Sequence, residues 1–491
     1  MNIRKTILLA IAAVMLQAAV GCEEKKSEAG RLYTLTAAVP QEEGNFIDSG
    51  HRFTLSAALA HGREAAAGAQ PRPSAAMTAA LPVRAASENR ETAAVHSFYS
   101  RMRAVEERLA AASASGRAAG ASRFRIADGR SGVRSVTEGS IRYGFRVLDA
   151  GGSSRSVDAV CRRVSRYAAV YVDTAVTVDS AALEVITAEF DRMVPEMHRL
   201  FSHESDIDGN GTVLFLLTPL EPGLYGYFYA QDKYPDGTGG EFSNEADILY
   251  VNADCFADFK THRDDLIATF IHEFQHMILF DHRTRLGKPQ LPVWLNEGLS
   301  MLSEYYAGYA LPHGRYLEAL FENQGISLIE NHPFPLPNYG YSLLFLRYLR
   351  ERWGDDVIRR LYDSSYSGVA VISDATGVGF NTLFSDFVTM IAVTGREIEQ
   401  DERYEIAAFG HEPGSEGYRR NGFHLARLID DFYSRRRSSG WSLSVDLRKT
   451  AGIREEDMLS YSFYLHEWLN GTVSSFGFES DGTVLFREIR Y

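Results

Sequence analysis

Cysteine is scarce in this chain, with three in 491 residues. Cys161 and Cys255 have no zinc-ligand spacing, and two cysteines make no disulfide framework. They either pair with each other or stay as buried free thiols. Basic charge is also short: 51 Lys and Arg stand against 64 Asp and Glu, a formal net charge of −13. No basic stripe interrupts that balance, which argues against nucleic acid as a partner. No repeat of fixed period is present. At 45% hydrophobic and 12% aromatic content, the chain still has material for two or three cored domains.

The apolar run near the N-terminus, Ile7 to Val20, is short as well. At about 14 residues it cannot comfortably span a ~30 Å hydrocarbon core. Preceded by Arg4 and Lys5 and closed by small residues, it reads as a signal peptide over residues 1–21. Ala19-Val20-Gly21-Cys22 resembles a bacterial lipobox of the relaxed kind, with alanine where leucine is common. That resemblance implies a lipid on Cys22 and an exported lipoprotein, periplasmic or cell-surface, anchored in a membrane. The alternative is a secreted protein cleaved before Cys22. Residues 22–30 are then a polar tether.

Period-2 patterns in residues 31–56 and 124–160 indicate short strands, so residues 31–155 form an expected β-rich N-terminal region. Inside it, 57–122 is rich in Ala, Ser, Arg and Gly and carries three prolines, the composition of a flexible insertion. Its FYSRMRAVEERLAAA segment can form a helix but has little to bury. From Tyr167 the pattern tightens: AAVYVDT, TVLFLLT and ADILYVNAD are strands, and residues 181–201 a helix. Helices then dominate, over roughly 262–281, 293–307, 340–352 and 380–393. Strands return over 436–491, where SDG suggests a hairpin turn in FGFESDGTVLFREIRY. The expected fold class is α+β, with a central domain over 156–435 flanked by β-rich terminal regions.

HEFQHMILFDH, His272 to His282, carries the chemistry. Thr261 and Asp264 read as a capping box that starts a helix. On that helix, His272 and His276 are one turn apart and face the same way, a spacing that lets both imidazoles reach one zinc. Glu273 is placed to take a proton from water activated by the metal and pass it to the leaving amine. A pair of packed core histidines is the plain alternative.

Two residues compete for the third ligand position. His282 completes the histidines of HExxHxxGxxH, the metzincin pattern, but the helix-ending glycine of that pattern is Leu279 here. A helix running through Leu279 carries His282 about 9 Å beyond His276 and about 120° around the axis. Met301 would have to be a turn residue in that scheme, yet WLNEGLSML reads as helix. Glu297 is the better choice: Pro292 suits a helix entry, and Glu297, Ser300 and Glu304 share one face. Gly298 beside it suggests a close approach of two helices.

HEFQHMI followed by WLNEGLS resembles the gluzincin metallopeptidases, and with YGYSLLFLRYL it looks most like the hyicolysin-type neutral zinc metallopeptidases. The resemblance implies a small mixed sheet carrying the active-site helix, joined to a helical lobe. It implies zinc held by His272, His276 and Glu297, with Glu273 as catalytic base. Asn296 and Ser300 match its second motif. Met301 replaces the aspartate that orients a ligand histidine in thermolysin relatives, which leaves Glu304 as the substitute. An oxyanion donor is expected from the following lobe, with Tyr339 the best match and Tyr341 and His332 nearby. Asp206, Asp208 and Asn210 in DIDGNG resemble the start of a calcium loop, although the twelfth position is Leu217; a tight polar turn is the simpler reading.

The function expected from these residues is zinc-dependent endopeptidase action on a peptide or protein. No GxMEN-like exopeptidase signature lies upstream of His272, which sets a zinc aminopeptidase second. A surface-binding lipoprotein with an inactive protease-like domain is the other alternative, and an intact Glu273 counts against it.

Overall fold

The computed structural model describes residues 32–41, 43, 51–59, 88–114, 136–149, 152–309, 313–330, 335–396, 398, 401–407, 424–439, 444–447, 452–469 and 473–490. The expected signal peptide, tether, Cys22 and His332 lie outside them, as do the parts of the insertion from 60 to 87 and from 115 to 122.

Strands β1 (Leu32–Ala38) and β2 (His51–Leu59) come first, then helix α1 (Glu88–Ala114). The central body begins with β3 (Ile141–Leu148), β4 (Ser154–Val164), β5 (Ala168–Asp173), α2 (Ser180–Leu200), β6 (Val213–Thr218), β7 (Gly226–Phe228) and β8 (Ile248–Asn252). Next are α3 (Phe259–Arg285), α4 (Val293–Ala307), α5 (His313–Glu322), α6 (Pro335–Trp353), α7 (Asp356–Asp363), α8 (Ala370–Thr376), α9 (Phe380–Val393) and α10 (Leu425–Ser439). The chain closes with β9 (Val445–Asp446), β10 (Ile453–Met458), β11 (Ser462–Leu469), β12 (Val473–Ser480) and β13 (Val484–Arg490). Ten α-helices and three sheets among the described residues make a mixed α and β architecture, compatible with α+β.

The largest sheet has six strands in the order β3-β4-β5-β6-β8-β7. Its centre, β5, β6 and β8, is parallel, and every residue of β6 and β8 is buried, as expected for strands covered on both faces. Short β7 runs antiparallel at one edge. Helix α3 lies on this sheet, with Phe270 stacked on Phe215 of β6, and beside α2, with Phe274 edge-on to Phe190. From Leu266 to Thr284 nearly all its side chains are buried. Such a helix has no solvent stripe, which is why its apolar pattern is broad rather than one-sided.

Several expectations from the sequence need correction. The boundary at 155/156 cuts a sheet: β3 and β4 pair along their length and belong to the six-stranded unit. The two terminal β-regions are likewise one structure. Strand β1 lies between β11 and β13, and β2 between β10 and β12. Leu32 of β1 joins Phe53, Leu55 and Trp468 in a small core between these two sheets, while Tyr33, Leu35 and Ala37 face the main core. A strand with both faces covered holds its register by burial. The SDG turn consequently joins no hairpin, because β12 and β13 enter different sheets.

Within the insertion the expected helix is present, and the correction concerns how much it buries. Residues 88–114 form a 27-residue helix. Phe98, Met102, Val105 and Leu109 are buried along it, with Phe98 packed edge-on to Tyr227 of β7. The capping box also fails: α3 begins at Phe259 with no side-chain cap bond. A 3₁₀ turn, Ala253–Phe256, delivers the chain already coiled, and the Asn252 side chain caps that turn instead. Cys161 and Cys255 are both free.

A buried cation ties α3 to the sheet. Lys233, in the turn after β7, donates to Asp247 before β8 and to Asp281 of α3, the latter at 2.6 Å. The backbone N–H groups of Ile207 and Ser205 also donate to Asp247 and Asp281, at 2.6 and 2.8 Å. Burial raises both carboxyls and Lys233 opposes it. Lys233→Met should therefore lower stability by about 3–5 kcal/mol at neutral pH, the usual cost of stranding buried charges. The stranded carboxyls would titrate above their unfolded values, so the folded variant binds protons more readily and the deficit shrinks as pH falls. Urea midpoints of both proteins at pH 7 and pH 5 check this; a deficit that grows at pH 5 contradicts it.

Candidate metal centre

His272, Glu273 and His276 stand on α3, and Asn296, Glu297, Ser300 and Glu304 on the adjoining α4. Pro292 occupies the N-cap position of α4 with extended backbone. Helix α4 meets α6 closely at Gly298, where an added Cβ would lie 2.8 Å from Ser342 Cβ. Only glycine at this position lets α4 pack so near α6, on which Tyr339 stands.

A nitrogen of His272, a nitrogen of His276 and a carboxylate oxygen of Glu297 all lie within 4.8 Å of one another. Glu297 Oε2 is 3.3 Å from His272 Nε2 and 3.6 Å from His276 Nε2. The outer nitrogens are engaged elsewhere: His272 Nδ1 sits 2.7 Å from Glu304 Oε1, and His276 Nδ1 2.9 Å from Asn296 Oδ1. Ser300 Oγ lies 3.1 and 3.2 Å from the two nitrogens of His276 and donates to Gln275. With Nδ1 held by an acceptor, each ring turns Nε2 inward, the usual arrangement behind a metal-binding imidazole. Two imidazoles and a carboxylate suit a three-ligand zinc site with an open fourth position, so the residues present fit that ion.

Burial pushes His276 down to about 3, which keeps its ring neutral. Burial also works against a charged His272, but hydrogen bonds with Glu297 and Glu304 carry it up to about 10. Glu297 is held well below the usual carboxylate range: burial favours its neutral form, and the Arg103 guanidinium and the imidazoles outweigh it. Glu273 accepts from the Phe228 backbone N–H of β7 at 2.9 Å. Burial pushes its carboxyl up to about 7, against the opposing pull of His272 and Arg103.

Arg103 was not anticipated. Its Nε donates to Glu297 Oε1 at 2.9 Å, and its Nη1 to Glu106. Both come from α1, the segment whose composition suggests a linker. The available signal was the run Phe98, Met102, Val105 and Leu109 at helical spacing, with Arg103 and Glu106 one turn apart beside it.

The other sequence candidates are placed as follows. Helix α3 continues through Leu279 to Arg285, and His282 is engaged with Ser202 at 2.7 Å and Asp363 at 2.9 Å. Met301 is buried within α4 and makes no turn. The Tyr339 ring lies 6.4 Å from that of His272, and burial raises its phenol well above the ordinary value, which keeps it a donor. Tyr341 is fully buried and donates to the Tyr461 carbonyl, away from the histidines. Asp206, Asp208 and Asn210 close on one another: the Asn210 N–H donates to both aspartates and its amide to Asp208, while its carbonyl accepts from Thr212. Asp206 and Asp208 approach Asp247, but Lys233 already engages that carboxylate. Calcium gains no support there.

No family model matches the sequence, and no curated protein does. The hyicolysin-type resemblance thus has no counterpart in either. Among solved structures, yeast LTA4 hydrolase in complex with bestatin is similar over 62% of this chain and 51% of that one. Identity is 13% and the TM-score 0.31. The chain spans about half the length of that protein. So distant a likeness carries no argument, and the functional reading rests on the geometry above.

Replacing Glu297 with Ala should abolish stoichiometric zinc binding, whereas His282→Ala should leave it at one ion per chain. Metal analysis of dialysed protein decides between them, and the reverse result would restore His282 as the ligand.

Proposed function

We propose that this chain is a zinc-dependent endopeptidase of gluzincin type. The observation that carries the reading is the inward convergence of His272 Nε2, His276 Nε2 and Glu297 Oε2, with both Nδ1 atoms turned onto Glu304 and Asn296. Zinc bound there supplies Lewis-acid activation of a water molecule and of the scissile carbonyl. Glu273 holds the proton taken from that water on its carboxylate and returns it to the departing amine. A carboxyl pushed up to about 7 by burial is suited to both halves of that transfer near neutral pH. The Phe228 N–H fixes Glu273 Oε2, so the carboxylate keeps its orientation between the two steps. Tyr339, neutral and close to His272, is the group we assign to the developing oxyanion.

Glu273→Gln should retain zinc and lose at least about 10²–10⁴-fold in peptide hydrolysis, the range a general base supplies. Turnover of an unblocked and an N-acetylated peptide, with zinc measured on the same samples, tests this. Activity surviving in the glutamine variant sinks the base assignment. Activity lost on acetylation points to an aminopeptidase.

The reading includes export and a lipid anchor on Cys22, supported by the signal-like residues 1–21 and the Ala19-Val20-Gly21-Cys22 stretch. Labelled palmitate fed to expressing bacterial cells should enter the wild-type protein and not Cys22→Ser. Equal labelling, or none in either, rejects the anchor.

A further inference from the structure

Glu297 divides its two oxygens between different tasks. Oε2 faces both imidazoles, at 3.3 and 3.6 Å. Oε1 accepts from Arg103 Nε at 2.9 Å, and Arg103 Nη1 is taken by Glu106. The three side chains are 9%, 4% and 5% exposed, so water does not screen this chain of charges. Arg103 arrives from α1, outside the α3–α4 pair that supplies the three convergent groups and the partners of both histidine Nδ1 atoms.

A carboxylate at a helix surface can rotate about its last bonds, and its two oxygens are otherwise equivalent. Glu297 also faces a like-charged neighbour, since Glu273 is buried in the same space. A guanidinium donating to one oxygen removes the equivalence and offsets the repulsion at once. Its planar fork does so with a defined direction that an ammonium lacks. The direction is itself secured. Glu106 fixes the other side of the fork, and α1 is held to the edge strand by Tyr99 Oη donating to the Gly226 carbonyl at 2.9 Å. Arg108 pairs with Glu241 further along the same helix.

We propose that Arg103 is a positioning residue for the third zinc ligand, and that α1 is an integral wall of the metal centre. The inference rests on the zinc metallopeptidase reading. It is tested on the full chain by competition between the protein and a chromophoric zinc chelator. Arg103→Met should weaken zinc binding about 10–100-fold, as loss of a group orienting a ligand usually does. In a Glu297→Ala background, whose weak residual two-histidine affinity is read at higher zinc concentration, the same substitution should add no further loss, because the carboxylate it orients is gone. A merely structural role for Arg103 would lower thermal stability in both backgrounds and leave the zinc affinity of folded protein unmoved. If Arg103→Met does not fold, Arg103→Lys carries the test, with an expected loss of at least about threefold because the ammonium lacks the directed Nε donor.

Affinity in the folded variants equal to wild type overturns the inference while leaving the metallopeptidase reading intact. Peptide turnover that rises in Arg103→Met also overturns it, since α1 would then be a cover over the site and not its support. A wild-type chain that takes up no zinc overturns both readings together.

Discussion

The candidate metal centre is built under one electrostatic constraint: its charged groups are largely withdrawn from water. A buried carboxylate or imidazole without a partner costs several kcal/mol, so each must be matched inside the protein. Glu304 and Asn296 take the outer nitrogens of the histidines, Phe228 N–H takes Glu273, and Arg103 takes Glu297. These partners come from α4, β7 and α1, three elements far apart in sequence. The arrangement of the body around α3 follows from that need. Lys233 applies the same rule at the far end of the helix, between Asp247 and Asp281.

Two glutamates on α4 and α1 illustrate how differently such matching is written in the sequence. Glu304 follows Glu297 by seven positions, two helical turns, so its alignment with the site is a matter of helix periodicity. Its contact with His272 could be anticipated once Met301 was seen to leave the orienting role open. Glu106 and Arg103 offer no such route. Their segment is rich in alanine and arginine, its flanks are of linker composition, and nothing local says which surface it will cover. The helix was legible as a possibility; the cleft it meets was not.

The same contrast runs through the fold. Strands β5, β6 and β8 and helices α3, α4, α6 and α9 could be read directly, because each is a dense apolar run whose length and period settle its type, whereas α5, α7, α8 and α10 were not read. The continuation of α3 past Leu279 was legible for the same local reason, and it separates His282 from His276. The pairing of β1 with β11 and β13 was not, since register between strands at opposite chain ends is set by burial in the finished core. The SDG sequence has the chemistry of a hairpin turn, yet the strands it joins pair in different sheets, β12 with β2 and β13 with β1. Local turn chemistry lost to tertiary packing there, as it did at the Thr261 capping box.

That terminal pairing sets a timetable for the newborn chain. Trp468 Nε1 donates to Thr34 across 434 positions, and β1 has no sheet neighbour until the last strands exist. At about 5–20 residues per second, synthesis leaves β1 unpaired for roughly 20–90 s. Through that interval a strand destined for burial on both faces is an open template for other chains. The body carrying the histidines is complete in sequence well before its terminal sandwich can close. Anything that holds β1 soluble while the ribosome finishes would act on the yield of the protein without touching its chemistry.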